Sequence, residues 1–137
     1  MRAAKGITLI EVVIVLAVIA IIGAIIIPNF ISTTDKARLK GDVQSARVIG
    51  NALGLYNAEQ SKSMPAKDMA GIIKELGAKG YIDEAQASIQ TEGASWLLDA
   101  AGVVVVDISK CGEAIRKEVY NQLNDQEKKH VRGQSGS

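Results

Sequence analysis

Apolar and polar positions are unevenly spread along this chain. Between Ile7 and Ile27, 18 of 21 positions are apolar, and Val12 to Ile27 carries no charged side chain. As a helix, such a run extends about 31 Å at roughly 1.5 Å per residue, enough to cross the hydrocarbon of a bilayer. Beyond Pro28 the pattern becomes amphipathic. Leu39, Val43, Ala46, Ile49, Leu53 and Tyr56 recur at spacings of three and four, with Lys36, Arg38, Lys40, Asp42, Gln44 and Arg47 falling elsewhere. The periodicity predicts that the apolar helix continues from Ala37 to about Ser61 and lays one stripe against a small domain. Gly41, Gly50 and Gly54 in this stretch point either to close backbone approach or to flexibility.

Ser61 to Pro65 breaks the helix. Lys67 to Leu76 reads as a short helix with Met69, Ile72, Ile73 and Leu76 inward, ended by Gly77 or Gly80, and Tyr81-Ile82 anchors the next turn. Ala94–Asp99 and Val103–Ile108 read as two strands joined by a hairpin turn at Asp99–Gly102, with Ser88–Thr91 as a third strand of weaker pattern. The unbroken apolar run Val103–Val106 predicts cover on both faces of its strand. Glu113 to Lys129 reads as a last helix with a thin stripe of Ile115, Val119, Gln122 and Leu123. The expected fold class is α+β: a long N-terminal helix packed on a small antiparallel β-sheet, with a C-terminal helix.

Composition narrows the picture. At 137 residues there is room for one small domain, and 16 basic against 15 acidic side chains give no general affinity for nucleic acid. Cys111 is the single cysteine, so no disulfide can form within the chain, and it is either a buried apolar residue or a free thiol. Lys128, Lys129, His130 and Arg132 make a basic cluster. It reads either as a contact for DNA or an anionic surface, or as a helix end whose cations complement the dipole. The absence of interleaved aromatics favours the second, and nucleic acid is not an expected partner. Trp96 reads as a packing residue of the hairpin. The sequence shows no metal-spaced His and Cys set, no glycine-rich phosphate loop after a strand and no histidine placed to activate Cys111 or a serine. No enzymatic activity, metal or cofactor is expected.

The N-terminal segment admits three readings: a cleaved secretory signal, a plain membrane anchor, or an export signal whose apolar part stays on the mature protein. Ile26-Ile27-Pro28-Asn29 offers no pair of small residues to a signal peptidase. A plain anchor leaves Glu11 unexplained, because a carboxylate in a span costs about 2 to 4 kcal/mol at mid-bilayer unless it is partnered or reaches the headgroups. Lys5-Gly6-Ile7-Thr8-Leu9-Ile10-Glu11, followed by the apolar run, resembles the class III signal of type IV prepilins and related pseudopilins. Ile7 stands where that family more often has phenylalanine.

The resemblance implies the following. A prepilin peptidase and methyltransferase cuts between Gly6 and Ile7 and methylates Ile7, while Arg2 and Lys5 hold the leader inside. Glu11, with Thr8, serves processing and subunit assembly, its carboxylate pairing with the new Ile7 amine of a neighbouring subunit; an i,i+4 pair within one chain is the local alternative. Pro28 marks a helix kink, and Gly23 adds either softness or a close helix contact. The implied organisation is a leader at 1–6, a transmembrane and filament-core helix at 7–31, its amphipathic continuation at 32–61, a globular head at 62–132 and a flexible tail at 133–137. The implied partners are further copies in a helical filament and an inner-membrane assembly platform with its ATPase, without a cofactor. The implied location is the cytoplasmic membrane as a single-pass protein with its head outside, then an extracellular or periplasmic filament. Removing the leader changes the formal balance to 14 basic against 15 acidic side chains.

Overall fold

The structure, a computed structural model, describes the backbone of residues 6–64 and 68–134, and their side chains apart from 28–32. It divides into two units, Met1–Thr34 and Asp35–Ser137. Helix α1, Leu9–Gln60, contributes to both. In the first unit its segment Leu9–Ile27 has a mean hydropathy of 3.2 and no buried residue. This is the one span among the described residues long and apolar enough to cross a membrane. The expected kink at Pro28 falls on side chains that lie outside the described residues.

In the second unit α1 supplies the central stripe of the core. Leu39, Val43, Ala46, Ile49, Leu53 and Tyr56 are all buried, at the three-and-four spacing that the sequence predicts. Burying one large aliphatic side chain of this stripe contributes about 1.5 to 3 kcal/mol. Helix α2, Met69–Ala78, starts where the Asp68 carboxylate accepts from the Gly71 N–H at 3.1 Å, and it buries Ile72 and Leu76 against the same core. Gly80, at φ +80°, turns the chain away behind it. Tyr81 then stacks edge-on against Tyr56, with centroids 5.6 Å apart.

Strands β1, Ser95–Leu98, and β2, Val104–Asp107, pair antiparallel with Trp96 opposite Val106. Their turn is held by Asp99, whose carboxylate accepts from the Ala101 and Val103 N–H groups at 3.0 Å each, and by Gly102 at φ +79°. Val104, Val105 and Val106 are all buried, so β2 is covered on both faces as its apolar run predicts.

The third strand departs from the expectation in place and direction. It is β3, Val131–Arg132, and it runs parallel to β2, giving a mixed sheet of order β1-β2-β3 instead of an antiparallel one. Ser88–Thr91 forms no strand, because its backbone is committed elsewhere. The Gln90 and Thr91 N–H groups both donate to Asp42, to Oδ1 and Oδ2 respectively, at 2.8 Å. Asp42 has no exposed surface, and this clamp fastens the segment to α1.

The C-terminal helix is in two pieces. A π turn, Ile115–Val119, lies in the first piece, and α3, Asp125–Lys128, forms the second. Ile115, Val119 and Leu123 are buried while Gln122 is exposed. Successive four-residue steps drift about 40° around an ordinary α-helix, and the wider π turn reduces that drift, keeping the three apolar side chains over the core. The break before α3 comes from Asn124, which starts a new helix in a reciprocal cap with Glu127, each donating a backbone N–H to the other's side chain at 2.8 Å.

Candidate functional site

The candidate processing and assembly residues sit at the head of α1. Residues 6–8 have no regular secondary structure, so the bond between Gly6 and Ile7 lies outside the helix. Ile7 is 77% exposed. A Cβ added at Gly6 would meet nothing within 4 Å, and the residue is not in the left-handed region. Among the described residues nothing therefore demands glycine at position 6. The demand fits an external one, a protease cleft that admits an unbranched, extended backbone.

Thr8 and Glu11 are brought together more tightly than the sequence reading assumed. The Thr8 N–H donates to Glu11 Oε2 at 3.0 Å, and the Glu11 N–H donates to Thr8 Oγ1 at 3.2 Å. The Val12 N–H donates to the Thr8 carbonyl at 3.2 Å, closing the first turn. This is a capping box: Thr8 is the N-cap, Glu11 is the third helical residue, and each satisfies a backbone donor that the helix start leaves open. The carboxylate also lies at the positive end of the helix dipole. A Thr-x-x-Glu spacing ahead of an apolar run was visible in the sequence, but the reciprocal cap was not read from it. Among the described residues no ion pair engages Glu11.

The second candidate group, Lys128, Lys129 and Arg132, is brought together only in part. The Arg132 guanidinium donates to Asp99 Oδ2 at 3.0 Å, to the Lys129 carbonyl at 2.8 Å and to the Val131 carbonyl at 3.0 Å, tying β3 to the hairpin turn. The Val103 and Ala101 N–H groups and Arg132 together hold the Asp99 carboxyl below its ordinary value against the opposing effect of burial. Lys128 Nζ lies 5.5 Å from the centre of the Tyr120 ring. Two of the three cations thus have partners inside the molecule.

Cys111 is buried, as one of its two readings had it. Burial, reinforced by Asp107 and Asp42, pushes its thiol up to about 11, so near neutrality it is held almost wholly in the protonated, unreactive form. Among the described residues no group of His, Cys, Asp and Glu is placed to hold a metal ion.

Residues 1–27 match the family model described as "Prokaryotic N-terminal methylation motif", the class III signal of type IV pilin and pseudopilin precursors. The match covers about a fifth of the chain and contains Gly6, Ile7, Thr8 and Glu11. It bears out the resemblance read from Lys5 to Glu11. No curated protein and no solved structure matches the chain.

Proposed function

We propose that this chain is the precursor of a type IV pilin-like structural subunit that polymerises into a type IV pilus or pseudopilus filament. The observation that carries this reading is the methylation motif at residues 1–27, joined to an exposed apolar helix, the one such span among the described residues, and followed by a small head with its own core. In this reading the chain is a building block, not a catalyst, and it carries no cofactor. A prepilin peptidase cuts between Gly6 and Ile7 where the backbone is free of the helix, and the same enzyme methylates the Ile7 amine. The apolar helix holds the mature subunit in the cytoplasmic membrane with its head outside.

Assembly then exchanges surroundings of similar polarity: lipid around Leu9–Ile27 gives way to equally apolar helices of neighbouring copies. The new Ile7 cation and the Glu11 carboxylate, each costly alone in a low-dielectric setting, are tolerable together. An inner-membrane platform and its ATPase supply the work of extraction. The test is the intact mass of the membrane-derived protein. Loss of Met1–Gly6 with gain of one methyl group is expected, and a retained leader would refute the proposal.

A second reading places the subunit in the pseudopilus of a type II secretion or DNA-uptake machine. The single cysteine, which cannot close a C-terminal disulfide loop, and the small three-stranded sheet favour it. Electron microscopy of sheared surface material separates the two, since long extracellular fibres containing this chain mean a pilus. A DNA-binding minor pilin is the least favoured form, given the internal partners of Arg132 and Lys128.

A further inference from the structure

In the head, the β1–β2 hairpin has two unlike ends. At the closed end two residues build the turn: the Asp99 carboxylate takes the Ala101 and Val103 N–H groups, and Gly102 supplies the left-handed position. Nothing in that arrangement calls for the alanines between them, and exposed turns ordinarily carry polar residues there. Ala100, Ala101, Gly102 and Val103 are nonetheless all exposed. The large apolar side chains that the described head leaves exposed, Leu55, Leu97 and Val103, gather around this same end. Leu97 lies two residues before Asp99 and Val103 follows the turn, while Leu55 stands one helical turn beyond Asn51, which borders a groove shared with Gly102 and Val103.

The open end has the opposite relief. Gly93, just before β1, and Gly112, just after β2, border a hollow of about 440 Å³ together with Ala114. Gly93 is required by the fold: it sits at φ +81°, with the Lys110 carbonyl oxygen 2.8 Å from where a Cβ would stand. Gly112 is not, since a Cβ there would meet nothing within 4 Å and its φ lies outside the left-handed region. Asp35, Glu92 and Lys110 form the rim. Arg38 is 3.8 Å from Asp35, and Glu92 has no ion pair among the described residues. At the turn, by contrast, Asp99 is answered by Arg132, whose guanidinium also holds the Lys129 carbonyl, so the exposed Lys129 is the neighbouring cation. From Asp35 to Asn51 is sixteen positions along α1, which separates hollow and turn by about 24 Å.

We propose that the turn Ala100–Gly102 of one copy seats in the hollow at Gly93, Gly112 and Ala114 of the next, with Lys129 facing Glu92. This rests on the filament reading above and names the contact by which the heads are ordered. Turn and hollow lie at opposite ends of the hairpin, so a copy that gives its turn to one neighbour still offers its hollow to another. Such a heterologous contact, where the rotation does not close a ring, generates an open helical array. Small uncharged residues on both sides let the two backbones approach closely, and the opposite charges at the rims fix orientation. One turn in one hollow is small beside the roughly 1,200 to 2,000 Å² of a stable interface, so its role is to set register between copies that the apolar helices hold together.

Oxidative cross-linking of the full chain in its membranes tests the proposal, in a Cys111→Ala background so that the native thiol plays no part. A disulfide needs Cα atoms within about 7 Å, so Ala101→Cys and Ala114→Cys in one chain cannot bridge within a copy. They should give a ladder of dimers, trimers and longer species, while either substitution alone, or Ala101→Cys with the exposed Lys74→Cys, gives none. Dimers from Ala101→Cys alone would set turn against turn and overturn the head-to-tail contact. Lys129→Glu should cut the ladder yield at least threefold, and Glu92→Lys in the same chain should restore it; a yield that Lys129→Glu leaves unchanged would overturn the charge match. Trp96 fluorescence checks that each variant is folded. The leader is weighed in the same membranes. A processed, methylated chain without a ladder overturns the contact alone, whereas a retained leader refutes the filament reading and the contact with it.

Discussion

Asp42 shows how one side chain can replace a strand. Its two oxygens take the backbone donors of Gln90 and Thr91 inside the core, so truncation leaves those donors without partners. Asp42→Ala is expected to destabilise the head by roughly 2 to 4 kcal/mol, measured as a lower urea midpoint of Trp96 fluorescence. An unchanged midpoint would show that the clamp is idle. Cys111 gives a second residue-level test. With its thiol pushed up to about 11, the folded chain should resist iodoacetamide at pH 8 and react only once unfolded. Glu11 offers the sharpest separation of roles, because capping and charge reside in one carboxylate. Glu11→Gln keeps an acceptor for the Thr8 N–H but removes the charge, whereas Glu11→Ala removes both at a cost of about 1 kcal/mol to the helix start. Both variants should insert into the membrane, and neither should yield filaments. Wild-type filament yield from Glu11→Gln would show that the cap alone is what matters.

Among the elements, α1, α2 and the β1–β2 hairpin were legible because each carries its own period: three-and-four spacing over Leu39–Tyr56, the same over Met69–Leu76, and a turn sequence at Asp99–Gly102. What escaped was set by partners distant in sequence. Strand β3 is two residues long in a basic stretch, with no alternation to read, and it exists because the Val106 and Ile108 N–H groups need the His130 and Arg132 carbonyls. The split before α3 was written locally in Asn124 and Glu127, yet a run of helix formers from Glu113 onward obscured it. At the candidate site the motif residues were legible from resemblance, while the Thr8–Glu11 reciprocity required coordinates.

Element α3 also carries a pH dependence. Burial acts to raise the Glu127 carboxyl, but the Asn124 N–H and Lys40 outweigh it and hold it below the ordinary value. A depressed carboxyl contributes stability that is present above the unfolded-state value, about 4.3 for Glu, and is lost as pH falls through the folded one. Thermal melts should therefore lose stability below about pH 4, and Glu127→Gln should flatten that acid limb while lowering the neutral-pH Tm.

For the molecule as a whole, the two units answer to different solvents. The head relies on a core that can be tested alone, since Leu39→Ala removes a fully buried side chain and should cost about 2 to 5 kcal/mol of head stability without affecting membrane insertion. The sheet, for its part, draws its third strand from residues about a hundred positions beyond the apolar helix. At roughly 5 to 20 residues per second, a ribosome takes about 5 to 20 s to cover that distance. Throughout that interval Arg132 is not yet available to Asp99, nor are the carbonyls that cap β2. The late strand therefore sets an order of events: the apolar helix and the hairpin are complete well before β3 can dock on β2, so the last contacts that close the head's sheet are also the last to be synthesised.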